Sequence, residues 1–188
     1  MESDKRFVRT LSMSAIFLIG YMASGKTTFG KALARHTGRP FIDLDFYIEQ
    51  RFHTTIRLMF DTEGEDVFRR REKAMLHEAG EFDDVIVACG GGTPCFFDNM
   101  DFMLGRGTVV FLDATPERIT ERLCINNSKR PLMAGKSAEQ IRTDVEAGLA
   151  ARLDSYRRAH VTLPSNRLES HSQIADTIAE FEKLVTLS

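Results

Sequence analysis

The sequence predicts an α/β chain of three layers, α/β/α, with a central five-stranded parallel sheet. Three observations predict it. Short apolar, β-rich runs recur along the chain, longer segments of helical period separate them, and a glycine-rich loop joins the first run to the first such segment. The 188 residues are ample for one buried core, and no internal repeat or low-complexity linker divides them, so a single domain over 1–188 is expected.

Taken in order, Ala15–Ile19 is an uninterrupted apolar run and reads as the first strand, with a helix over Lys26–Thr37 after it. Pro40–Asp43 reads as the second strand, followed by helices over Asp45–Phe52 and Gly64–Ala79. Val85–Cys89 and Thr108–Leu112 are the third and fourth strands, and Pro116–Cys124 a helix. A long helix over Ala138–His160, the strand Val161–Leu163 and a final helix over Ser172–Leu187 complete the chain. Four of the five strands show little polar alternation, the mark of strands covered on both faces. Strands that alternate with helices in this way form βαβ units and a parallel sheet. The polar stretch Asn126-Asn127-Ser128-Lys129-Arg130-Pro131, with Ala134-Gly135-Lys136-Ser137 after it, reads as a long loop and places a mobile lid at about 124–138. Residues 1–13 are charged and mixed and are expected to form a disordered tail.

Composition narrows the function. Twenty-five Lys and Arg against 27 Asp and Glu give a net charge of −2, so no global field recruits nucleic acid or an anionic membrane. Any anion site must be built locally. The run Ala15–Ile19 is far too short for a membrane span or a signal-peptide core, and the three cysteines form no C-x-x-C pair. A cytoplasmic monomer acting on small molecules is expected, with neither nucleic acid nor membrane as partner.

The local anion site is written in Gly20-Tyr-Met-Ala-Ser-Gly25-Lys26-Thr27, which matches G-x-x-x-x-G-K-[ST] between a strand and a helix. Glycines let the backbone curl so that N–H groups converge on phosphate oxygens, and the helix N-terminus adds its positive end. Lys26 would reach the β- and γ-phosphates of ATP and Thr27 would ligate Mg²⁺. The fold is therefore of the P-loop NTPase type. The chain carries no N-K-x-D guanine-reading signature, and its length leaves no room for a large lid domain, which favours a small-molecule kinase.

Asp43 and Asp45 follow the second strand, where ligands bind beyond strand C-termini in open α/β sheets. Residues two apart on a strand share a face, so both carboxylates would point at the phosphates if the strand geometry persists through Asp45. One would hold hydrated Mg²⁺ and the other would accept a hydrogen bond from the attacking hydroxyl; alternatively, Asp45 is only the N-cap of the next helix. Among the arginines, Arg69, Arg130 and Arg157 are candidates for pairing a carboxylate or phosphate, and Arg70, Arg71 and Arg158 read as solvated helix faces. Gly90-Gly91-Gly92 directly after the third strand is costly in conformational entropy, and close approach of backbone to a ligand is a reason to keep it.

This constellation resembles the shikimate kinase family from Ala15 to about Phe181. The matching pieces are Gly20–Gly30, then Phe41-Ile-Asp-Leu-Asp45, then Ile56 and Phe60 ahead of Gly64-Glu65-x-x-Phe68-Arg69. Gly90-Gly-Gly92, Arg130-Pro131-Leu132 and Tyr156-Arg157 follow. The resemblance implies ATP-dependent phosphorylation of the 3-hydroxyl of shikimate, on the route to chorismate and aromatic amino acids. It implies nucleotide contacts by Gly20, Ala23, Ser24, Gly25, Lys26, Thr27 and Thr28, with Arg122 near the adenine. Arg130 would close over the transferring phosphoryl group as a catalytic residue alongside Lys26 and Asp45. Thr27 and Asp43 would serve Mg²⁺, Asp43 from the outer sphere. Asp45 would bind the substrate hydroxyls and act as general base, and Arg69 and Arg157 would clamp the carboxylate beside Gly90, Gly91 and Gly92. The sequence departs from the family's pattern at Cys89, where relatives usually carry a Thr or Ser whose hydroxyl would assist the Mg²⁺ shell. A gluconate kinase of similar architecture, or a nucleotide-binding regulatory protein without turnover, are the rival readings.

Overall fold

The computed structural model describes residues 15–125 and 135–187. The expected tail, the centre of the expected lid and Arg130 lie outside the described residues. Five strands form one wholly parallel sheet: β1 (Ala15–Ile19), β2 (Phe41–Asp43), β3 (Ile86–Ala88), β4 (Gly107–Asp113) and β5 (Val161–Pro164). Their spatial order is β2-β3-β1-β4-β5, so β1 lies at the centre. Ile16–Leu18 pair with Ile86–Ala88 on one side, and all of β1 pairs with Gly107–Phe111 on the other.

Parallel neighbours need crossovers, and helices supply them. The helices are α1 (Lys26–Thr37), α2 (Leu44–Phe52), α3 (Ile56–Glu63), α4 (Glu65–Gly80), α5 (Asn99–Arg106), α6 (Pro116–Ile125), α7 (Ala138–Ala150), α8 (Leu153–Tyr156) and α9 (His171–Leu187), with a 3₁₀ turn at Thr93–Cys95. They sort into two layers, and β1 shows why. Ile16 and Leu18 face one apolar cluster with Phe29 and Leu33 of α1 and Ile178 and Phe181 of α9. Phe17 and Ile19 face the other, with Leu44, Met59, Leu76, Met103, Ile119, Val145 and Tyr156 from α2 to α8. A strand buried on both faces has no polar position to alternate with, as its sequence shows. Each such side chain contributes about 1.5–3 kcal/mol by leaving water.

The structure differs from the sequence reading in three local respects. The second strand ends at Asp43 as read, so strand geometry does not persist through Asp45, and the cap of α2 is Asp43 rather than Asp45. The Asp43 carboxylate accepts a hydrogen bond from the Phe46 N–H at 3.4 Å. Helices α3 and α5, eight residues each, have no counterpart in that reading. Thr55 caps α3 by accepting from the Leu58 N–H at 3.2 Å. The long helix expected over Ala138–His160 stops at Ala150, where no Gly or Pro marks a boundary. Its end is satisfied from within, the Arg152 guanidinium donating to the Gly148 carbonyl at 2.9 Å, and the chain turns into the short α8.

The α1–α9 contact is a clean test of this layer. Phe29 and Phe181 meet edge to face at 5.8 Å, and both are buried. Phe181→Ala is expected to cost about 3–5 kcal/mol in a urea titration, through lost burial and the cavity left behind.

Candidate active site

The phosphate loop leaves β1 at the sheet's C-terminal edge and enters α1. Gly20 and Gly25 hold φ of 140° and 102°, values that a side chain would strain. Ala23, at φ 61°, takes the left-handed conformation without being glycine, and its carbonyl is held by Arg122 Nη1 at 3.1 Å. Gly25 opens α1 with no side-chain cap and no acid in the first turn, so the helix N-terminus presents uncompensated positive charge to the loop. The Ser24 hydroxyl is fully buried there with no hydrogen-bond partner among the described residues. Lys26 Nζ reaches back across the loop to the carbonyls of Gly20 and Tyr21, both at 2.8 Å. An orphaned buried hydroxyl, an uncapped helix end and an ammonium fit a polyphosphate.

Thr27 Oγ1 donates to Asp43 Oδ2 at 2.8 Å, joining the loop to the end of β2. One hydroxyl and one carboxylate at the edge of a phosphate cradle suit Mg²⁺, which keeps waters and takes one or two protein groups plus substrate phosphates.

Asp45 lies in the first turn of α2, not on the strand and not at the cap, since Asp43 holds that position. The strand geometry expected for the acidic pair is therefore not present, yet both carboxylates still meet at the cleft. A Cβ on Gly90 would stand 2.9 Å from Asp45 Oδ1. Solvent reaches Asp45, but protein crowds it on most sides. That desolvation, with Asp43 and Glu72 beside it, pushes its carboxyl from the ordinary 3.8 up to about 6, against the opposing pull of Lys26.

Arg69 projects from α4 and is nearly covered. Its Nη1 donates to Glu72 Oε2 at 2.7 Å, and Nε and Nη2 donate to Glu65 Oε1 at 3.1 and 3.0 Å. Its guanidinium lies over Phe96 at 4.0 Å. Three of its five N–H donors are engaged, leaving two for an acid. Glu72 is 1% exposed, and its other oxygen accepts from Thr93 Oγ1 at 2.6 Å.

The triple glycine is explained by space. A Cβ on Gly90 would crowd Asp45, Glu72 and Thr93 at 2.9–3.1 Å, and one on Gly92 would meet the Arg69 guanidinium at 2.8–3.1 Å. Gly91 lies near the phosphate loop, and its carbonyl accepts from the Tyr156 hydroxyl at 2.6 Å. Arg157 follows Tyr156 in the chain and is exposed, its backbone N–H bonded to the Leu153 carbonyl at 2.9 Å. Arg70 is exposed and Arg158 pairs with Asp101 at the surface, as expected of solvated faces, whereas Arg71 is half-buried, paired with Glu63 at 2.6 Å and lying over Phe52 at 4.5 Å.

Arg122 is a tether as well as a nucleotide candidate. Besides the Ala23 carbonyl it holds that of Ser165 at 2.8 Å, and it pairs with Glu169 at 2.9 Å. Tyr21, next in the loop, packs against α7: its ring fills the space where Gly148 lacks a side chain, and Arg152 lies over it at 5.3 Å. Cys89 turns into the core, its Sγ 3.7 Å from Met103 Sδ, and burial pushes its thiol far up. It is a neutral core filler.

A protein-family model described as shikimate kinase matches residues 22–183. The chain belongs to the shikimate kinase family. Shikimate kinases of Bacteroides fragilis and Phocaeicola vulgatus are each 47% identical to it, over 93% and 91% of this chain and 98% of theirs. The crystal structure of shikimate kinase from Bacteroides thetaiotaomicron superposes with a TM-score of 0.90 at 42% identity, covering 93% of this chain and 99% of that one. Shikimate kinase from Acinetobacter baumannii, solved in complex with shikimate, gives 0.79 at 31% identity over 97% and 98%. A gluconokinase from Sinorhizobium meliloti, at 18% identity and 0.55, shares the fold alone. Within this shikimate kinase family member, the groups not singled out from sequence are Glu72, Thr93 and Phe96. Glu72 was within reach, because it stands three residues after Arg69 on one helix face.

Asp45 gives a pH test in the metal- and nucleotide-free protein. Its folded-state carboxyl titrates near 6 and its unfolded one near 3.8, so the ionised form opposes folding above pH 6. Asp45→Asn is expected to raise stability at pH 8 by about 1–2 kcal/mol, after discounting for the solvent that reaches the group. The gain should shrink as pH falls from about 6 and vanish below about 4, when both states are protonated. Thermal melts at about pH 8 and pH 4 check it, and an equal gain at both would remove the electrostatic cause.

Proposed function

We propose that this chain transfers the γ-phosphoryl group of ATP to the 3-hydroxyl of shikimate, giving shikimate 3-phosphate and ADP. The observation that carries the reading is one cleft in which the phosphate loop, Asp45 and the Arg69 guanidinium meet around Gly90–Gly92. Shikimate is a small anionic polyol. Its carboxylate suits Arg69 and Arg157, and its hydroxyls suit a carboxylate that accepts hydrogen bonds.

The nucleotide phosphates lie against the backbone of Gly20–Thr28, the helix N-terminus and Lys26. Arg122 borders the nucleotide at the outer side of the loop, and Arg130, outside the described residues, is assigned to the transferring group. Thr27 and Asp43 serve Mg²⁺, which when bound neutralises charge on the β- and γ-phosphates. Asp45 orients the attacking hydroxyl and takes its proton. With a carboxyl pushed up to about 6 it is mostly ionised at neutral pH and still basic enough for that task. Most of the catalysis is positional, because phosphoryl transfer asks the protein to align donor and acceptor and to stabilise charge. The reading includes a monomeric enzyme of the cytoplasm; among the described residues no helix is long and apolar enough to cross a membrane.

The test is ADP release from Mg-ATP with shikimate, gluconate and nucleoside monophosphates as parallel acceptors. Strong stimulation by shikimate alone is expected, and its absence would overturn the assignment. Lys26→Ala should lower kcat by at least about a thousandfold, the scale of losing a principal charge-stabilising group. Arg69→Ala should act mainly on the KM for the acid, raising it about tenfold or more, since a charged hydrogen bond is lost. An unaltered KM would remove Arg69 from the carboxylate clamp.

A further inference from the structure

We propose that Tyr156 is a positioning residue for the acid substrate: its hydroxyl, by holding the Gly91 carbonyl, fixes the glycine backbone beside Arg69. The inference rests on the shikimate reading above.

Tyr156 is the largest fully buried side chain of the molecule's described part. Its ring stacks on Phe111 of β4 with centroids 5.1 Å apart and an interplanar angle of 30°. A phenol buried this deeply needs a partner for its O–H. The partner is not a sheet or helix carbonyl but the middle of the triple glycine, at 2.6 Å. Burial pushes the phenol's ionisation well above its ordinary value, so the group remains a donor throughout the working pH range.

The bond falls where the loop is least constrained. Gly90 is wedged by Asp45, Glu72 and Thr93, and Gly92 by Arg69. A Cβ on Gly91 would meet nothing closer than 3.4 Å. A peptide flanked by glycines turns over at little steric cost, so packing alone does not hold the Gly91–Gly92 unit in one orientation. The trans peptide sets its C=O and N–H on opposite sides. Tying the Gly91 carbonyl to Tyr156 therefore aims the Gly92 N–H away from α8, at a residue that lies against Arg69. One hydrogen bond thus fixes the backbone against which the Arg69 guanidinium lies.

Tyr156→Phe keeps the ring and its stacking and removes only the hydroxyl. The KM for shikimate is expected to rise about tenfold, the scale of one well-formed hydrogen bond, with kcat and the KM for ATP within about twofold of wild type. Phe111→Leu serves as a packing control: it should lower the thermal midpoint by loosening the stack while leaving the KM for shikimate unchanged. An unchanged KM in Tyr156→Phe would overturn the proposal. So would an equal loss in the KM for ATP or in kcat, or an equal rise in Phe111→Leu, because each marks a merely structural role. Wild-type enzyme that shikimate fails to stimulate would overturn the underlying function instead, and that result is read before any variant is made.

Discussion

A carboxylate removed from water must be paired, and the arrangement of this cleft follows from how Glu72 meets that demand. One of its oxygens accepts a hydrogen bond from Arg69 and the other from Thr93. Glu72 and Arg69 belong to α4, whereas Thr93 follows the glycine run after β3, so a single buried charge joins the two walls of the site. The pairing also directs Arg69 across the cleft, over Phe96. It places a negative charge beside Asp45, where it helps hold that carboxyl high. Leaving Glu72 without one partner would cost several kcal/mol, roughly 3–5 by analogy with other broken buried pairs.

The glycines complete this arrangement from the backbone side. Their value lies in the absent Cβ atoms at Gly90 and Gly92, where carboxylates and a guanidinium need the room. Neither requires a left-handed backbone, since the positive-φ glycines of the described chain stand elsewhere. An anion site can thus be built in a protein with a net charge of −2, because what counts is the geometry of a few groups rather than the sum.

Much of this was legible in the sequence, for identifiable reasons. Ala15–Ile19 and Lys26–Thr37 fall where they are expected to the residue, because an unbroken apolar run and a phosphate-loop motif have little freedom in where they sit. Some short elements were less legible: α3 and α5 went unread although α2, of similar length, was read, and the end of α7 is satisfied by Arg152 rather than announced by a capping Gly or a Pro. Within the site, residues carried by a local motif, such as Lys26, Thr27 and Asp43, could be read in one dimension. Asp45 reaches the cleft by a different route from the expected one, through the capping of α2 rather than the face of a strand. Thr93 pairs with Glu72 across 21 positions and Tyr156 with Gly91 across 65, and no pattern in the chain announces either contact.

Tyr21 and Gly148 share one volume. The ring belongs to the loop whose carbonyls hold Lys26, and the space it fills belongs to the helix that follows the expected lid. The two positions form a single packing unit written 127 residues apart, the difference between 148 and 21. A side chain gained at position 148 would meet the Tyr21 hydroxyl, and its ring at 2.8 Å, so a change there is felt in the phosphate loop, and a smaller residue at position 21 should relieve it.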